Sequence, residues 1–171
     1  LLLQSAESWN RYVEQASGPI DLSFADLYGA DLRGRRFVEC NLTGARLDTA
    51  NLDGSSFTRC LLTGASLTDA SLVGCEFDKV ELRKASLERA VLRNCTMRDV
   101  DLTGSRAAYV YVATSEFSGC KLRQVVLDDG LLDSVKCSDV TVADLSAHRL
   151  QLARVTFLAS VVERCHIIEG E

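Results

Sequence analysis

From Leu22 to Ile167 every fifth residue is apolar, and the register never slips. The series opens Leu22, Leu27, Leu32, Phe37, Leu42 and Leu47, and closes Ala147, Leu152, Phe157, Val162 and Ile167. An α-helix repeats every 3.6 residues and a strand every two, so neither accounts for a period of five. Two places before each centre stands a mostly small residue: Ala25, Ala30, Cys40, Ala45, Ala50, Ser55, Cys60, Ala65, Ala70, Cys75. Residues two apart leave an extended segment on the same side. Each unit is therefore a short extended piece with two inward side chains, followed by a corner. A second period overlies the first. Phe37, Phe57, Phe77, Met97, Phe117, Cys137 and Phe157 lie twenty apart, so the bulkiest centre returns every fourth unit. Four units make one lap of a four-sided coil, and equivalent positions stack in columns.

The units "ADLYG", "ADLRG", "CNLTG", "ANLDG" and "ASLTD" resemble the A(D/N)LXX units of pentapeptide-repeat proteins of the bacterial type. The resemblance covers about 150 residues, and it implies an all-β fold: a right-handed quadrilateral parallel β-helix. Thirty units give about seven coils and a half. At about 4.8 Å between neighbouring strands the rod is roughly 36 Å long.

A solenoid end exposes unpaired strand edges and needs a cap. Residues 2–16 read as an amphipathic helix with Leu2, Ala6, Trp9 and Val13 on one stripe, stopped by Gly18 and Pro19. The expected division is a capping helix over 1–18 and a β-helix over 19–171, with Trp9 as the lid on the first coil. The leader "LLLQSAESWN" lacks an initiating Met and a basic n-region, so it reads as part of a longer chain rather than a signal peptide. Near the other end Leu158, Val161 and Ile168 are apolar at outward places, which marks a candidate surface for self-association into a homodimer. Ala107 and Ala147 are undersized centres. Leu145 and Leu150 fill small-residue places beside the second, so volume is expected to be exchanged rather than lost.

Little in the sequence points to catalysis. The seven Cys fall on inward places: Cys40, Cys60, Cys75, Cys95, Cys120 and Cys165 in the small position and Cys137 at a centre. They read as buried small hydrophobes, reduced and unbridged, in a cytoplasmic setting. His148 and His166 face outward with no evident nucleophile or ligand set. Asp21, Asp26 and Asp31 occupy the repeat's own Asp/Asn place, where corner and backbone hydrogen bonds occupy them. No metal, cofactor or catalytic group is expected. No run of eighteen apolar residues is present, so no helical membrane span is expected either.

The surface is more informative. Val91, Tyr111 and Leu131 each precede a centre, twenty apart on one side, with Tyr109 and Val73 near. They form a candidate partner-binding ridge on a rod whose early outward places are polar. The reading is a non-catalytic, rigid protein–protein interaction module. The alternative that the resemblance implies is mimicry of DNA, by which some members bind gyrase and confer quinolone resistance. A mimic needs an acidic stripe. The net charge is −5 with a pI near 5.1, which disfavours direct contact with nucleic acid. The side of Leu27 carries the largest negative excess, through Asp26, Asp69, Asp128, Asp129 and Glu169, but Arg106 and Arg149 interrupt it.

Overall fold

A computed structural model describes residues 2–168. The chain winds as a parallel β-solenoid of about seven turns, preceded by one short helix. Its longest sheet has seven strands, Arg36–Val38, Ser56–Thr58, Glu76–Asp78, Thr96–Arg98, Glu116–Ser118, Lys136–Ser138 and Thr156–Leu158. Every strand of it pairs in parallel with the one twenty residues on, so Phe37, Phe57, Phe77, Met97, Phe117, Cys137 and Phe157 form one inward column. The first three rings lie flat on one another, with centroids 4.7 and 5.0 Å apart and planes within 5°. A second sheet stacks Val91–Arg93, Tyr111–Ala113, Leu131–Asp133 and Gln151–Ala153. Elsewhere in the early coils single bridges such as Asp26↔Arg46 and Asn51↔Ser71 hold the same register.

The five-residue period has its backbone cause at the corners. Two residues after a centre the chain takes a left-handed conformation, at twenty-one non-glycine positions and eight glycines among the described residues. Asp and Asn support those corners locally. Asp21, Asp26 and Asp31 accept from the backbone N–H two residues on, and Asn41 and Asn51 do the same. Gly44 shows why some corners keep glycine: a Cβ there would run into the Phe24 ring.

The core is the bore of the coil. Centres from Leu27 to Ala147 are buried, with Leu122 and Leu132 partly so. The small places fill the remaining space. Cys60, Cys75, Cys95 and Cys120 donate to the carbonyl twenty-three residues earlier, at Phe37, Leu52, Leu72 and Met97. The layers from Phe37, Phe57, Phe77 and Phe117 each contain one Phe and three Leu. The layer from Met97 (Met97, Leu102, Ala107, Val112) is thinner, and an apolar cavity of about 50 Å³ lies there. No exchange of volume compensates Ala107: Val110, at the neighbouring small place, lines the cavity without filling it. Ser105 lines this cavity, and its Oγ has no hydrogen-bond partner among the described residues. At Ala147 Leu145 and Leu150 are both buried, but they line an apolar cavity of about 130 Å³, so the exchange there is only partial.

The cap is shorter than the expected 2–16. Helix α1 spans Ala6–Gln15. Ser5 ends the preceding turn by accepting the Ser8 N–H as N-cap, which leaves Leu2 outside the helix. At the other end the chain leaves through extended Ala16 rather than through Gly18, which has no positive φ. Trp9 is buried, its ring 5.7 Å from Phe37, and its Nε1 donates to the Arg36 carbonyl at 2.8 Å. Asn10 accepts from the Arg36 N–H and donates to the Gly34 carbonyl. Together these two side chains satisfy backbone groups that the first strand would leave unpaired. Arg35, inward in the small-residue column, was not anticipated. Its Nε donates to the Leu2 carbonyl at 2.8 Å, tying the leader to the coil.

At the far end no described residue covers the bore. The inward centres Leu152, Phe157, Val162 and Ile167 are 40 to 53% exposed. The dry interior expected for all thirty centres thus stops one layer short.

Candidate interaction surface

The parallel register places Val91, Tyr111 and Leu131 directly above one another, in the column Asp31, Asn51, Ser71, Val91, Tyr111, Leu131, Gln151. The column is polar at both ends and apolar in the middle. All three apolar members are half-buried. Ala113, in the neighbouring lane, is buried. Val73 lies in that same lane two coils earlier, half-buried, with its N–H bound to Asp53 Oδ1 at 2.9 Å. Tyr109 stands at the corner leading into this side and is 58% exposed. The structure thus gathers the five predicted residues on one side and its adjoining corner.

A second pattern surrounds them. Ion pairs run along the rod from coil to coil at a spacing of twenty: Asp26–Arg46, Glu39–Arg59, Asp69–Arg89, Glu116–Lys136, Asp129–Arg149 and Asp144–Arg164. Tyr109 stands in the corner column between Arg89 and Asp129. The Arg149 guanidinium, hydrogen-bonded to Asp129, holds that carboxyl below the usual range, and the Tyr109 hydroxyl adds to the effect. His148 is paired too, with Nδ1 2.9 Å from Asp128 Oδ1. Sequence reasoning assigns His148 no partner, although the twenty-residue rule already in hand names Asp128. Arg36 at the cap pairs with Glu14. The carboxylates that a DNA mimic would present are thus in large part matched by cations one coil away. Glu169, counted with the acidic side, lies outside the described residues.

Leu158, Val161 and Ile168 are exposed at the rim of the open bore. The thiols are unbridged, and six of the seven are buried. Burial pushes Cys95, Cys120 and Cys137 up to about 11. Among the described residues no three His, Cys, Asp or Glu side chains converge on a point that could hold a metal ion. No helix among them is long and apolar enough to cross a membrane.

Comparison with known proteins agrees with this architecture. Sequence profiles described as "Pentapeptide repeat region" and "Pentapeptide repeats (8 copies)" match residues 20–87 and 70–106. No curated protein matches. Among solved structures, a trypsin-treated variant of QnrB1, titled a plasmid-mediated fluoroquinolone resistance protein, superposes with a TM-score of 0.73 at 18% identity. That match covers 91% of this chain and 84% of the other. Full-length QnrB1 gives 0.52 at 14% identity, over 87% and 91% of the two chains. A pentapeptide repeat protein from the Arabidopsis thaliana thylakoid lumen is 27% identical over 54% of this chain and 61% of its own, with a TM-score of 0.46. At these levels the structural likenesses speak to the fold alone. The repeat profiles, the unbroken five-residue register and the four-sided parallel coil together establish that the chain belongs to the pentapeptide-repeat family.

Proposed function

We propose that this protein is a non-catalytic, rigid module that offers one side of its rod to a protein partner. The observation that carries the reading is the Val91–Tyr111–Leu131 run, three apolar residues stacked in a column whose other members, Asp31, Asn51, Ser71 and Gln151, are polar. Parallel ladders fix its spacing, so a partner meets a preorganised strip without an ordering cost. The exposed ring of Tyr109 at its edge is the kind of aromatic anchor that carries interface energy. The non-catalytic part of the reading rests on what the polar side chains do: Asp and Asn groups serve corners, and Arg groups pair with carboxylates of the preceding coil. The unbridged thiols support a reducing, cytoplasmic setting. The test is capture of partners from the native host by wild type, by Tyr111→Glu and by Thr96→Glu on the phenylalanine side. Selective loss with Tyr111→Glu supports the ridge. An identical set of captured proteins for all three removes it.

The exposed rim residues Leu158, Val161 and Ile168 support end-to-end pairing of two copies through the C-terminal coil. Light scattering of wild type and Leu158→Asp across concentration decides this; a single-chain mass throughout rejects it. A second functional reading, modulation of gyrase by DNA mimicry, is favoured by the fold shared with QnrB1. The coil-to-coil ion pairs weigh against it. A gyrase supercoiling assay discriminates: inhibition or drug protection at low micromolar protein would place this reading first.

A further inference from the structure

The phenylalanine column has a gap near the open end. Where rings follow one another at Phe37, Phe57 and Phe77, the middle ring is sandwiched at 4.7 and 5.0 Å. Cys137 interrupts the column, paired in register with Phe117 below and Phe157 above. Two strand spacings of about 4.8 Å separate those partners, which is the height that one flat ring fills between two others. The rest of the layer does not close the gap. Val142 and Ala147 replace leucines of the full layers, and an apolar cavity of about 130 Å³ remains, bounded by Phe117, Cys137, Val142, Leu152, Phe157 and Val162 among others.

We propose that this cavity binds one small apolar aromatic molecule, of the size of benzene or toluene, stacked between Phe117 and Phe157 beside Cys137. Three features select that ligand class. The described lining carries no polar side chain beyond thiols, so a guest with a hydroxyl or charge loses its hydration without replacement. The volume is close to the roughly 150 Å³ of an engineered apolar cavity that stays dry and takes up benzene. Among the described residues the cavity reaches the surface at Phe157 and Val162, which are 49 and 53% exposed. The cavity beside Ala107, at about 50 Å³, is too small for a ring.

The test is thermal unfolding of the full chain at low micromolar concentration, with toluene added up to saturation. Wild type is expected to gain about 3–6 °C at ten times the Kd. Cys137→Phe, whose own ring occupies the slot, is expected to gain nothing. Should Cys137→Phe fail to fold, nuclear Overhauser contacts from toluene to wild-type protein decide the matter. Contacts to the Phe117 and Phe157 rings support the site, and their absence overturns it. An equal toluene response in a folded Cys137→Phe also overturns it.

Discussion

Phe57→Ala is the sharpest probe of the stacked bore. The ring is 1% exposed and lies between Phe37 at 4.7 Å and Phe77 at 5.0 Å, in planes within 5°. Transfer of the side chain out of water accounts for about 1.5–3 kcal/mol. The hole left behind adds to that, and measured Phe→Ala costs run to about 3–5 kcal/mol. In most cores part of the hole collapses. Here the walls are parallel ladders pinned at Arg36↔Ser56↔Glu76 and Val38↔Thr58↔Asp78, so the four sides cannot close inward without breaking backbone hydrogen bonds. Two stacked pairs, each worth about 0.5–1.5 kcal/mol beyond area, are lost as well. The expected loss therefore sits at the upper end, near 5 kcal/mol, or a fall in Tm of about 10–20 °C for a chain of this size. Urea unfolding of wild type, Phe57→Ala, Phe37→Ala and the double variant measures both the cost and the coupling. A loss under about 2 kcal/mol, or full additivity of the two sites, would refute the picture of a rigid, stacked bore.

Other outcomes follow from the same geometry. Burial holds the Cys95, Cys120 and Cys137 thiols at about 11, against roughly 8.5 in an unfolded chain. Their contribution is complete below about pH 8.5 and drains away as pH rises toward 11, so the urea midpoint should fall over that window. A midpoint flat to pH 11 contradicts this. Half-buried Cys165 should react first with a thiol reagent at pH 8, and Cys40, Cys60, Cys75, Cys95 and Cys120 only on unfolding. At the acid end, hydrogen bonds from the Arg33 side chain and N–H hold Asp31 down at about 2, and arginine hydrogen bonds depress Asp69 and Asp144. Stability from these groups is present above about pH 4 and lost as pH falls toward 2. Loss already between pH 7 and 5 would point to other groups. Trp9→Ala should cost about 3–5 kcal/mol locally and expose the Arg36 carbonyl. Hydrogen exchange at the first coils should speed up while the coils after Met97 stay protected, as a nearest-neighbour solenoid requires.

The residues that were hardest to read are instructive. Arg35 stands in a column continued by Ser55, Cys75, Cys95, Ser115, Val135 and Val155, and its burial depends on the leader folding back so that the Leu2 carbonyl can accept from it. Neither segment announces that contact. Helix α1 begins late because the Ser5 hydroxyl competes well for the Ser8 N–H, a local choice that the apolar stripe hides. The His148–Asp128 pair is legible in the sequence, since the two residues lie on one column one lap apart. The candidate ridge is legible for the same reason: once twenty residues make a lap, Val91, Tyr111 and Leu131 can only be neighbours.

The amino-acid sequence by itself determined which side chains face inward and which positions stack. An apolar residue every fifth place, with a small one two before it, has a single way to be buried, and a lap of twenty turns spacing into adjacency. Only the tertiary structure decided where that burial fails. Whether Ala107 leaves a hole and whether Cys137 opens a slot depend on how much volume neighbouring layers supply around a fixed bore. That sum is taken over four sides and three layers at once, so no single unit carries it.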